Sequence, residues 1–383
     1  MEPFKNRIDA ALVRTAARRL RRVQADFPDR RFVALATRGL DNLELKQRVA
    51  HVAQALAATL PADFDAAAGV LERSLAPPLA GDDLGRFAPG PAGLAGWIIW
   101  PMTEVIAARG LGHPERALRT LRELTQRWTA EYAIRPFLVA HQALTLRTLR
   151  SWLRDPSAHV RRLVSEGTRP RLPWGLQLRA FVADPSPTLP LLAALQDDPS
   201  EYVRRSVANH LNDIAKDHPD VVADWLERHL PDASSERAAL LKRATRTLVK
   251  RGDRRVLAAW GVASPLRGSA ALRIAPARVR LGTSMRLEVV LRSASPRPQR
   301  LVVDYVVHHQ RASGRTSRKV WKGWTLELAS RAVHELSRTH SWRATTIRTD
   351  VPGRHHVELL VNGRVVARAA VWLLASSRSS QSG

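Results

Sequence analysis

Two stretches of sequence, 43 residues apart, determine the fold: WLRDPSAHVRRLVSE at 152–166 and LQDDPSEYVRRSVAN at 195–209. They align without gaps, and both place Asp-Pro-Ser shortly before Val-Arg-Arg. The period lies within the 40–47 residues typical of HEAT and armadillo repeats, whose units are sets of two or three helices. One such unit is too small to bury its own apolar face, so the pattern predicts stacked units. Asp-Pro-Ser predicts a turn whose serine caps the following helix.

Weaker copies of the pattern occur on both sides of these two stretches. They are EYAIRPFL at 131–138 and SSERAALLKRA at 234–244, which brings the expected number of helical pairs to at least four. A cluster of Pro and Gly at 76–95 predicts a loop. We therefore expect a mainly α protein with a HEAT-like helical-repeat solenoid over residues 1–262. The alternative is an accidental match inside an ordinary helical domain.

The sequence changes character after Gly261. From Leu272 onward, β-branched residues alternate with polar ones, and turn signals separate the runs. Asn362-Gly363 between two such runs predicts a two-residue hairpin. About seven short strands predict an immunoglobulin-like β-sandwich over residues 272–375. The last residues, 376–383, are expected to form a disordered tail.

The charge of the chain points to a polyanionic partner. Lys and Arg number 61 against 35 Asp and Glu, for a formal net charge of +26 and a pI near 11.6, which is typical of nucleic-acid binders. Composition bias with solvated charges is the alternative. Residues 272–383 alone hold 20 basic and 6 acidic side chains. We therefore hypothesise that the sandwich grips the DNA backbone, so that its loss would lower both DNA affinity and its salt dependence.

Several classes of protein are disfavoured by what the sequence lacks. Without cysteine it can form neither disulfides nor Cys-ligated metal sites, which fits a reducing cytoplasm. It has neither the apolar core of a signal peptide nor an apolar run long enough to span a bilayer. His308-His309 and His355-His356 lie in predicted strands, where neighbours point to opposite faces. We expect a cytoplasmic, nucleoid-associated monomer with no metal, cofactor or membrane partner.

Charged and amide side chains recur about one or two helical turns apart on the predicted helices, and so form stripes. The stripes are Glu131 with Arg135, then Arg162 with Glu166 and Arg169, then Arg205 with Asn209, Asn212 and Asp213. If the stripes lie side by side, they form a basic groove that holds a few acids. Pairing for stability is the alternative for each residue taken alone.

Acids inside such a groove weaken the binding of polyanionic DNA unless they have a function. Carboxylates suit a cationic target such as an N-alkylated purine, and breaking its N-glycosidic bond builds positive charge on the sugar. A carboxylate can also orient the attacking water. Trp174 and Trp152 are candidates to stack on bases, whereas Trp97 and Trp100 are expected to anchor the core.

Three segments carry a resemblance to a known family: TAEYAIRPFL (129–138), DPSAHVRRLVSEGTRPRLPW (155–174) and DPSEYVRRSVANHLNDIAKDHP (198–219). They resemble the AlkC branch of the AlkC/AlkD DNA alkylation-repair glycosylases, and the likeness covers roughly residues 1–260. Some members of that branch also carry a C-terminal Ig-like domain. The resemblance implies a HEAT-like fold that wraps the duplex and removes cationic lesions such as 3-methyladenine, and in this branch 3-methylcytosine or 1-methyladenine.

The resemblance further implies monofunctional hydrolysis without a Schiff-base lysine, and recognition without full base flipping. In keeping with this, the matched stripes contain no lysine. Tyr132 stands where phenylalanine is expected. By matching position, the acidic roles fall to Asp213 as first choice, then Glu131, and to Glu166, while Arg162, Arg169 and Trp174 contact the lesion and the backbone.

The sequence therefore predicts a DNA glycosylase that acts on alkylated double-stranded DNA. The expected catalytic residues are Asp213, Glu131 and Glu166, and the expected DNA contacts are Arg135, Arg162, Arg169, Trp174, Arg205, Asn209 and Asn212. Two alternatives stay open: a non-catalytic nucleic-acid-binding adaptor and a HEAT scaffold for protein interactions. Release of a methylated base separates the first alternative from an enzyme, and salt-dependent DNA affinity separates the second from both.

Overall fold

A computed structural model describes residues 4–78, 88–262, 265–311, 314–343 and 350–375. The predicted tail at 376–383, and residues 79–87 of the predicted loop at 76–95, lie outside the described residues. The described α-helices are α1 (Ala10–Val23), α2 (Asp29–Thr37), α3 (Leu45–Ala57), α4 (Phe64–Ser74), α5 (Ile99–Arg109), α6 (Pro114–Thr125), α7 (Arg135–Ala140), α8 (Gln142–Ser151), α9 (Ala158–Gly167), α10 (Arg179–Ala183), α11 (Leu189–Leu195), α12 (Glu201–Ile214), α13 (Pro219–His229), α14 (Ser235–Ala244), α15 (Arg246–Arg251) and α16 (Arg254–Ala259).

The chain divides into two compact units. One unit comprises Met1–Val222 and Ala233–Ala244, and the other comprises Ala223–Asp232 and Thr245–Gly383. The second unit thus contains α15 and α16 in addition to the β-strands, and the predicted domain boundary at residue 262 stays a prediction. None of the described helices is long and apolar enough to cross a membrane.

The two copies of the repeat fold in the same way at the Asp-Pro-Ser turn. The Asp155 carboxylate accepts a hydrogen bond from the Ser157 backbone N–H at 2.9 Å, and Asp198 accepts one from the Ser200 N–H at the same distance. Both serines are the N-caps of their helices, but the Ser157 side chain makes no capping bond. The prediction that serine supplies the cap is therefore wrong at Ser157, because the aspartate two residues earlier closes the turn instead.

The first arginine of each Val-Arg-Arg is structural. Arg161 donates to the carbonyl of Asp155 at 2.7 Å, and Arg204 donates to the carbonyl of Asp198 at 2.6 Å. Arg161 also binds both carboxylate oxygens of Asp198, at 2.6 and 3.0 Å. Arg122 makes the corresponding ion pair with Asp155. These ion pairs tie the Asp155 turn to α6 and the Asp198 turn to α9, so that each turn is joined to a helix of an earlier repeat.

Apolar residues at three- and four-residue spacing then bring the repeats together. Helix α9 buries Val160, Leu163 and Val164, and α12 buries Val203 and Val207. Fully burying an aliphatic side chain of this size contributes roughly 1.5–3 kcal/mol. Helix α12 packs against both α9 and α14. The predicted stacking of helical repeats is therefore confirmed.

The β-strands form a sandwich of two sheets. The strands are β1 (Gly268–Ala275), β2 (Arg278–Arg280), β3 (Ser284–Ser293), β4 (Gln299–Gln310), β5 (Thr316–Leu328), β6 (Val333–Ser341), β7 (Gly353–Val361) and β8 (Arg364–Leu374). One sheet has the order β1-β3-β6 and the other β2-β8-β7-β4-β5. The described strands number eight, where the sequence predicts about seven. The predicted Asn362-Gly363 hairpin is confirmed, since both residues have the positive φ angles, 49° and 74°, that such a turn needs.

Candidate active site

The three carboxylates singled out by the sequence lie in one charged cluster in the helical unit. Glu131 precedes α7, Glu166 lies in the last turn of α9, and Asp213 lies in the last turn of α12. Basic side chains connect them in alternation. We call this cluster the ionic chain and define it, in order, as Glu131, Arg162, Glu166, Arg169, Asp213 and Lys216.

The first half of the ionic chain is centred on Arg162. Its Nη1 lies 2.8 Å from Oε2 of Glu131, and its Nη2 lies 3.7 Å from Oε1 of Glu166. The guanidinium also stands 4.8 Å from the ring centroid of Tyr202, a cation–π contact. Thr129 donates a hydrogen bond to Oε2 of Glu131 at 2.8 Å. Arg162 is thus held from several sides, and it fixes the position of Glu131 in turn.

The second half is centred on Arg169. It donates from Nη1 to Oε1 of Glu166 at 2.6 Å and from Nε to Oδ2 of Asp213 at 2.8 Å. Lys216 donates to the other oxygen of Asp213 at 2.8 Å. Ser206 donates to Oε2 of Glu166 at 2.6 Å. Both oxygens of Glu166 and both of Asp213 therefore accept hydrogen bonds.

The three carboxylates of the ionic chain are buried, and the groups around Glu166 keep it ionised. Burial alone would raise the pKa of Glu166. The positive charges of Arg162 and Arg169 and the hydrogen bond from Ser206 outweigh burial and hold that pKa below its ordinary value. The site therefore presents fixed carboxylates, each paired with a fixed cation, in a place that excludes much of the water, where electrostatic interactions are stronger than at the surface.

Arg135 has a different place from the one the sequence suggests. It is fully buried, and it donates from Nε to the carbonyl of Leu176 at 2.6 Å and from Nη1 to the carbonyl of Gly167 at 2.8 Å. Burial, with a smaller contribution from the charge of Arg169, lowers the pKa of Arg135 to about 10. The expected contact of Arg135 with DNA is not supported by this placement, since a guanidinium enclosed in this way does not reach a phosphate. Its two hydrogen bonds instead fix the end of α9 and the loop that carries Trp174.

Trp174 is presented to solvent by that loop. Its side chain is 62% exposed, and its backbone has a positive φ of 65°, a conformation that side-chain-bearing residues rarely adopt. Lys46 donates to the Trp174 carbonyl at 2.9 Å. Trp152, the other residue expected to stack on bases, is buried at 6% exposure and is not available for that role. Trp100, expected in the core, is buried as well.

The remaining predicted DNA contacts on α12 do not extend the ionic chain. Arg205 is exposed and lines a separate groove between α12 and α14, together with Arg204 and Arg243. Asn209 accepts a hydrogen bond from Arg243 at 3.1 Å, and Asn212 is buried. The two stripes therefore differ. All three residues of the stripe that begins on α9 belong to the ionic chain, whereas Asp213 is the one residue of the α12 stripe that does.

Sequence reasoning missed several residues of the site. Lys216 follows Asp213 by three positions, a spacing at which side chains on a helix meet, so its contact was detectable. Thr129 and Ser206 carried no such signal, because a hydroxyl that completes a carboxylate's hydrogen bonds looks like any other. His210 is also fully buried, and its Nδ1 lies 3.0 Å from the carbonyl oxygen of Ser165. Burial and, to a lesser extent, the charge of Arg169 lower the pKa of His210 to about 4.

Comparisons with known proteins match both parts of the chain. Residues 124–247 match the family model described as DNA alkylation repair enzyme, and residues 268–375 match the C-terminal Ig-like domain of an uncharacterised protein, YhaZ. YhaZ of Bacillus subtilis (strain 168) is 34% identical over 373 residues, which are 95% of this chain and 98% of that protein. The chain is also similar to a solved structure, the Pseudomonas fluorescens alkylpurine DNA glycosylase AlkC bound to DNA containing an abasic site analog. That match has a TM-score of 0.88 and 33% identity, and it covers 98% of this chain and 100% of the other.

These likenesses extend over nearly the whole chain, and the matched repair-enzyme segment contains the ionic chain from Glu131 to Lys216. The Ig-like match agrees with the observed sandwich. The chain therefore belongs to the AlkC branch of the DNA alkylation repair enzymes.

Proposed function

We propose that this chain is a DNA glycosylase that hydrolyses the N-glycosidic bond of cationic alkylated bases in double-stranded DNA. The expected substrates are 3-methyladenine and, in this branch, 3-methylcytosine or 1-methyladenine. The observation that carries the proposal is the ionic chain, which holds three carboxylates buried and hydrogen-bonded within a strongly basic protein. Fixed carboxylates favour a cationic base and the positive charge that develops on the sugar.

The reaction consumes one water molecule. The bond between the sugar C1′ and the base nitrogen breaks with its electron pair going to the base, and the water oxygen bonds to C1′. A carboxylate takes the proton that the water loses. The products are the free base and an abasic site.

The three carboxylates differ in how many of their oxygens are held by hydrogen bonds, and so in their ability to bind that water. The sequence favours Asp213, whereas the hydrogen-bond pattern favours Glu131. The ion pair from Arg162 and the hydrogen bond from Thr129 both fall on Oε2 of Glu131, and the neighbouring phenol of Tyr132 also interacts with this carboxylate. By contrast, charged or hydroxyl donors of the ionic chain and Ser206 occupy both oxygens of Asp213 and of Glu166. We therefore propose Glu131 as the residue that orients the water, with Asp213 and Glu166 supplying fixed negative charge.

Hydrolysis is proposed to proceed without a covalent intermediate. The amine of Lys216 is held by Asp213 at 2.8 Å, which supports a role for Lys216 in fixing that carboxylate. Incubation with abasic DNA and borohydride should then yield no trapped protein–DNA adduct. An adduct that disappears in Lys216→Arg would instead show a Schiff-base mechanism.

The test of the function is release of free base from DNAs that carry 3-methyladenine, 7-methylguanine or 3-methylcytosine. We expect Glu131→Gln to slow single-turnover release by about 10²–10³-fold, the cost typical of losing one electrostatic contact in an active site. Glu166→Gln and Asp213→Asn should also slow release while DNA binding persists. Asp217→Asn is the matched control, because Asp217 pairs with Arg171 near the protein surface. Full activity in all three carboxylate variants would contradict the proposal.

Both units are proposed to contact DNA, and candidate residues can be named in each unit separately. Arg162 and Trp174 are proposed to face the lesion and its flanking backbone, with Arg205 on the exposed face of α12. Arg169, expected from the sequence to do the same, is buried and bound to Glu166 and Asp213, so we propose that it positions these carboxylates instead. In the sandwich, Arg318 and Lys319 are exposed on β5, an edge strand. If this edge binds phosphate, replacing both with glutamine should reduce the slope of log affinity against log salt by about 0.9 for each lost contact. An unchanged slope would show that this edge does not grip DNA.

A further inference from the structure

A cavity lies in the helical unit next to the ionic chain, and no residue of the ionic chain lines it. We call it the aromatic pocket and define it by Lys46, Trp100, Glu104, Tyr132 and Trp174, which line it. Its volume is about 260 Å³, below the roughly 300–1,000 Å³ of pockets for drug-sized ligands. A single nucleobase matches this size better than a nucleotide.

Three aromatic side chains give the pocket flat apolar surfaces. The rings of Trp100 and Tyr132 are stacked, with centroids 5.0 Å apart and planes 17° from parallel. Trp174 adds an indole that is 62% exposed. Base–aromatic stacking is favourable for every base, because each has a π face. Such a lining selects a flat ring.

Glu104 gives the pocket a polar group. Its Oε1 accepts a hydrogen bond from the indole N–H of Trp100 at 3.2 Å, and within the described ranges Trp100 is the residue that donates to this carboxyl. Burial raises the pKa of Glu104 above its ordinary value and outweighs the lowering effects of the hydrogen bond from Trp100 and the charge of Lys46. A carboxyl in this place can pair with the ring nitrogens or the exocyclic amine of a base.

The charged side chains that line the pocket give little support for a phosphate group. Lys46 is its one basic side chain among the lining residues, and that ammonium donates to the Trp174 carbonyl. The carboxyl of Glu104 beside it accepts hydrogen bonds but adds no positive charge to hold a phosphate. The pocket therefore suits a base without its sugar phosphate.

Tyr132 connects the pocket to the ionic chain. Its ring lines the pocket, while its phenol interacts with the side chain of the neighbouring Glu131, whose charge contributes to the raised pKa of Tyr132 after the larger effect of burial. A base that leaves the sugar at Glu131 would thus have an aromatic site next to it.

We propose that the aromatic pocket is a product site that binds the free N-methylated nucleobase released by hydrolysis, by stacking against Trp100, Tyr132 and Trp174 and by pairing with Glu104. The proposal rests on the proposed function for the identity of its ligand. It assigns the pocket a ligand of its own, distinct from the sugar and phosphates of DNA.

The test is calorimetric titration of the full-length protein with free 3-methyladenine, in the absence of DNA. We expect saturable binding that weakens at least tenfold in Glu104→Gln and at least fivefold in Trp174→Ala. Glu115→Gln is the matched control, since Glu115 is an exposed carboxylate on α6, and its affinity should equal that of the wild type. Circular dichroism establishes that each variant retains its helices.

The outcomes separate this proposal from the proposed function. Absence of saturable binding to wild type, or equal affinities in wild type and Glu104→Gln, would overturn the product site even if base release from alkylated DNA is observed. Binding that depends on Glu104 and Trp174 would support the pocket even if base release is not observed, in which case the proposed function fails by itself. Because Trp174 is exposed, its replacement also tests the pocket without disturbing the core.

Discussion

The replacement of Arg169 by methionine tests whether the ionic chain is held together as its geometry indicates. Methionine keeps much of the aliphatic length of arginine but removes the charge and both hydrogen bonds. Arg169 is 7% exposed and is the cation between Glu166 and Asp213, at 2.6 and 2.8 Å. Its loss leaves two buried carboxylates near each other with less positive charge between them.

The expected loss in the free energy of unfolding depends on which cations remain beside Glu166 and Asp213. Removing one partner of a buried ion pair typically costs about 3–5 kcal/mol. Here Glu166 retains Arg162 at 3.7 Å and Asp213 retains Lys216 at 2.8 Å, so we expect the lower end, about 3 kcal/mol. The free energy of unfolding falls by about 3 kcal/mol per molar urea at the upper end of the usual range, which suits a unit of this size. A loss of about 3 kcal/mol therefore lowers the urea midpoint of unfolding by about 1 M.

The pH dependence gives a second readout with a defined sign. In the wild type the lowered pKa of Glu166 contributes stability that is present above the unfolded-state pKa, near 4.3, and is lost as pH falls through the folded-state value. The variant loses part of that contribution. The difference in unfolding free energy between wild type and variant should therefore be largest near neutral pH and should become smaller as the carboxylates are protonated in acid.

The assay is urea unfolding followed by circular dichroism at several pH values. Arg171→Met is the control, because Arg171 makes a comparable two-bond contact with Asp217 but at an exposed place, where ion pairs contribute little. If Arg169→Met is no less stable than Arg171→Met, or if its deficit does not change with pH, the electrostatic account of the ionic chain is refuted.

Three further changes test other parts of the helical unit, each by urea unfolding. Because burial lowers the pKa of His210 to about 4 against about 6.5 in the unfolded chain, the wild type should lose about 3 kcal/mol between pH 6.5 and 4 that His210→Asn does not lose; equal losses would contradict this. Arg161→Met should cost about 1–3 kcal/mol, since it removes the bidentate contact between repeats, and no loss would show that the contact is dispensable. Gly167→Ala should cost about 1–3 kcal/mol, because its Cβ would lie 2.6 Å from Ile134 Cγ2, whereas Gly69→Ala meets the movable end of an arginine and should be neutral or stabilising.

The sequence was sufficient for the architecture because the repeat is nearly literal. Two copies of Asp-Pro-Ser with Val-Arg-Arg define the period, and the turns at Asp155 and Asp198 close in the same way. The hairpin at Asn362-Gly363 was equally predictable, since few residues accept two successive positive φ angles. Local chemistry specifies these features, so they can be predicted without knowledge of the rest of the fold.

The site was predictable in its acids and less so in its cations. Spacing along a helix predicted that Arg162, Glu166 and Arg169 share a face; their side chains do meet, although Arg169 lies two residues beyond the end of α9. It could not distinguish an arginine that faces a groove from one that is enclosed, because both satisfy the same spacing. Arg135 is therefore the clearest departure: its burial depends on the loop carrying Leu176, which is 41 residues away in sequence.

The difference between the two repeats explains why the carboxylates are concentrated at one place. The positions of α12 that correspond to Arg162, Glu166 and Arg169 hold Arg205, Asn209 and Asn212, which keep an arginine but replace the carboxylate and the second arginine with neutral amides. A full copy of the charged stripe on α12 would place a second acid and a second arginine at positions where Asn212 is buried and Asn209 already accepts a hydrogen bond from Arg243, and each new charge would need a partner there. Amides at these positions preserve hydrogen bonding without that cost. The repeat thus supplies the scaffold twice, but its charged stripe is complete only where Glu166 can be held between two arginines.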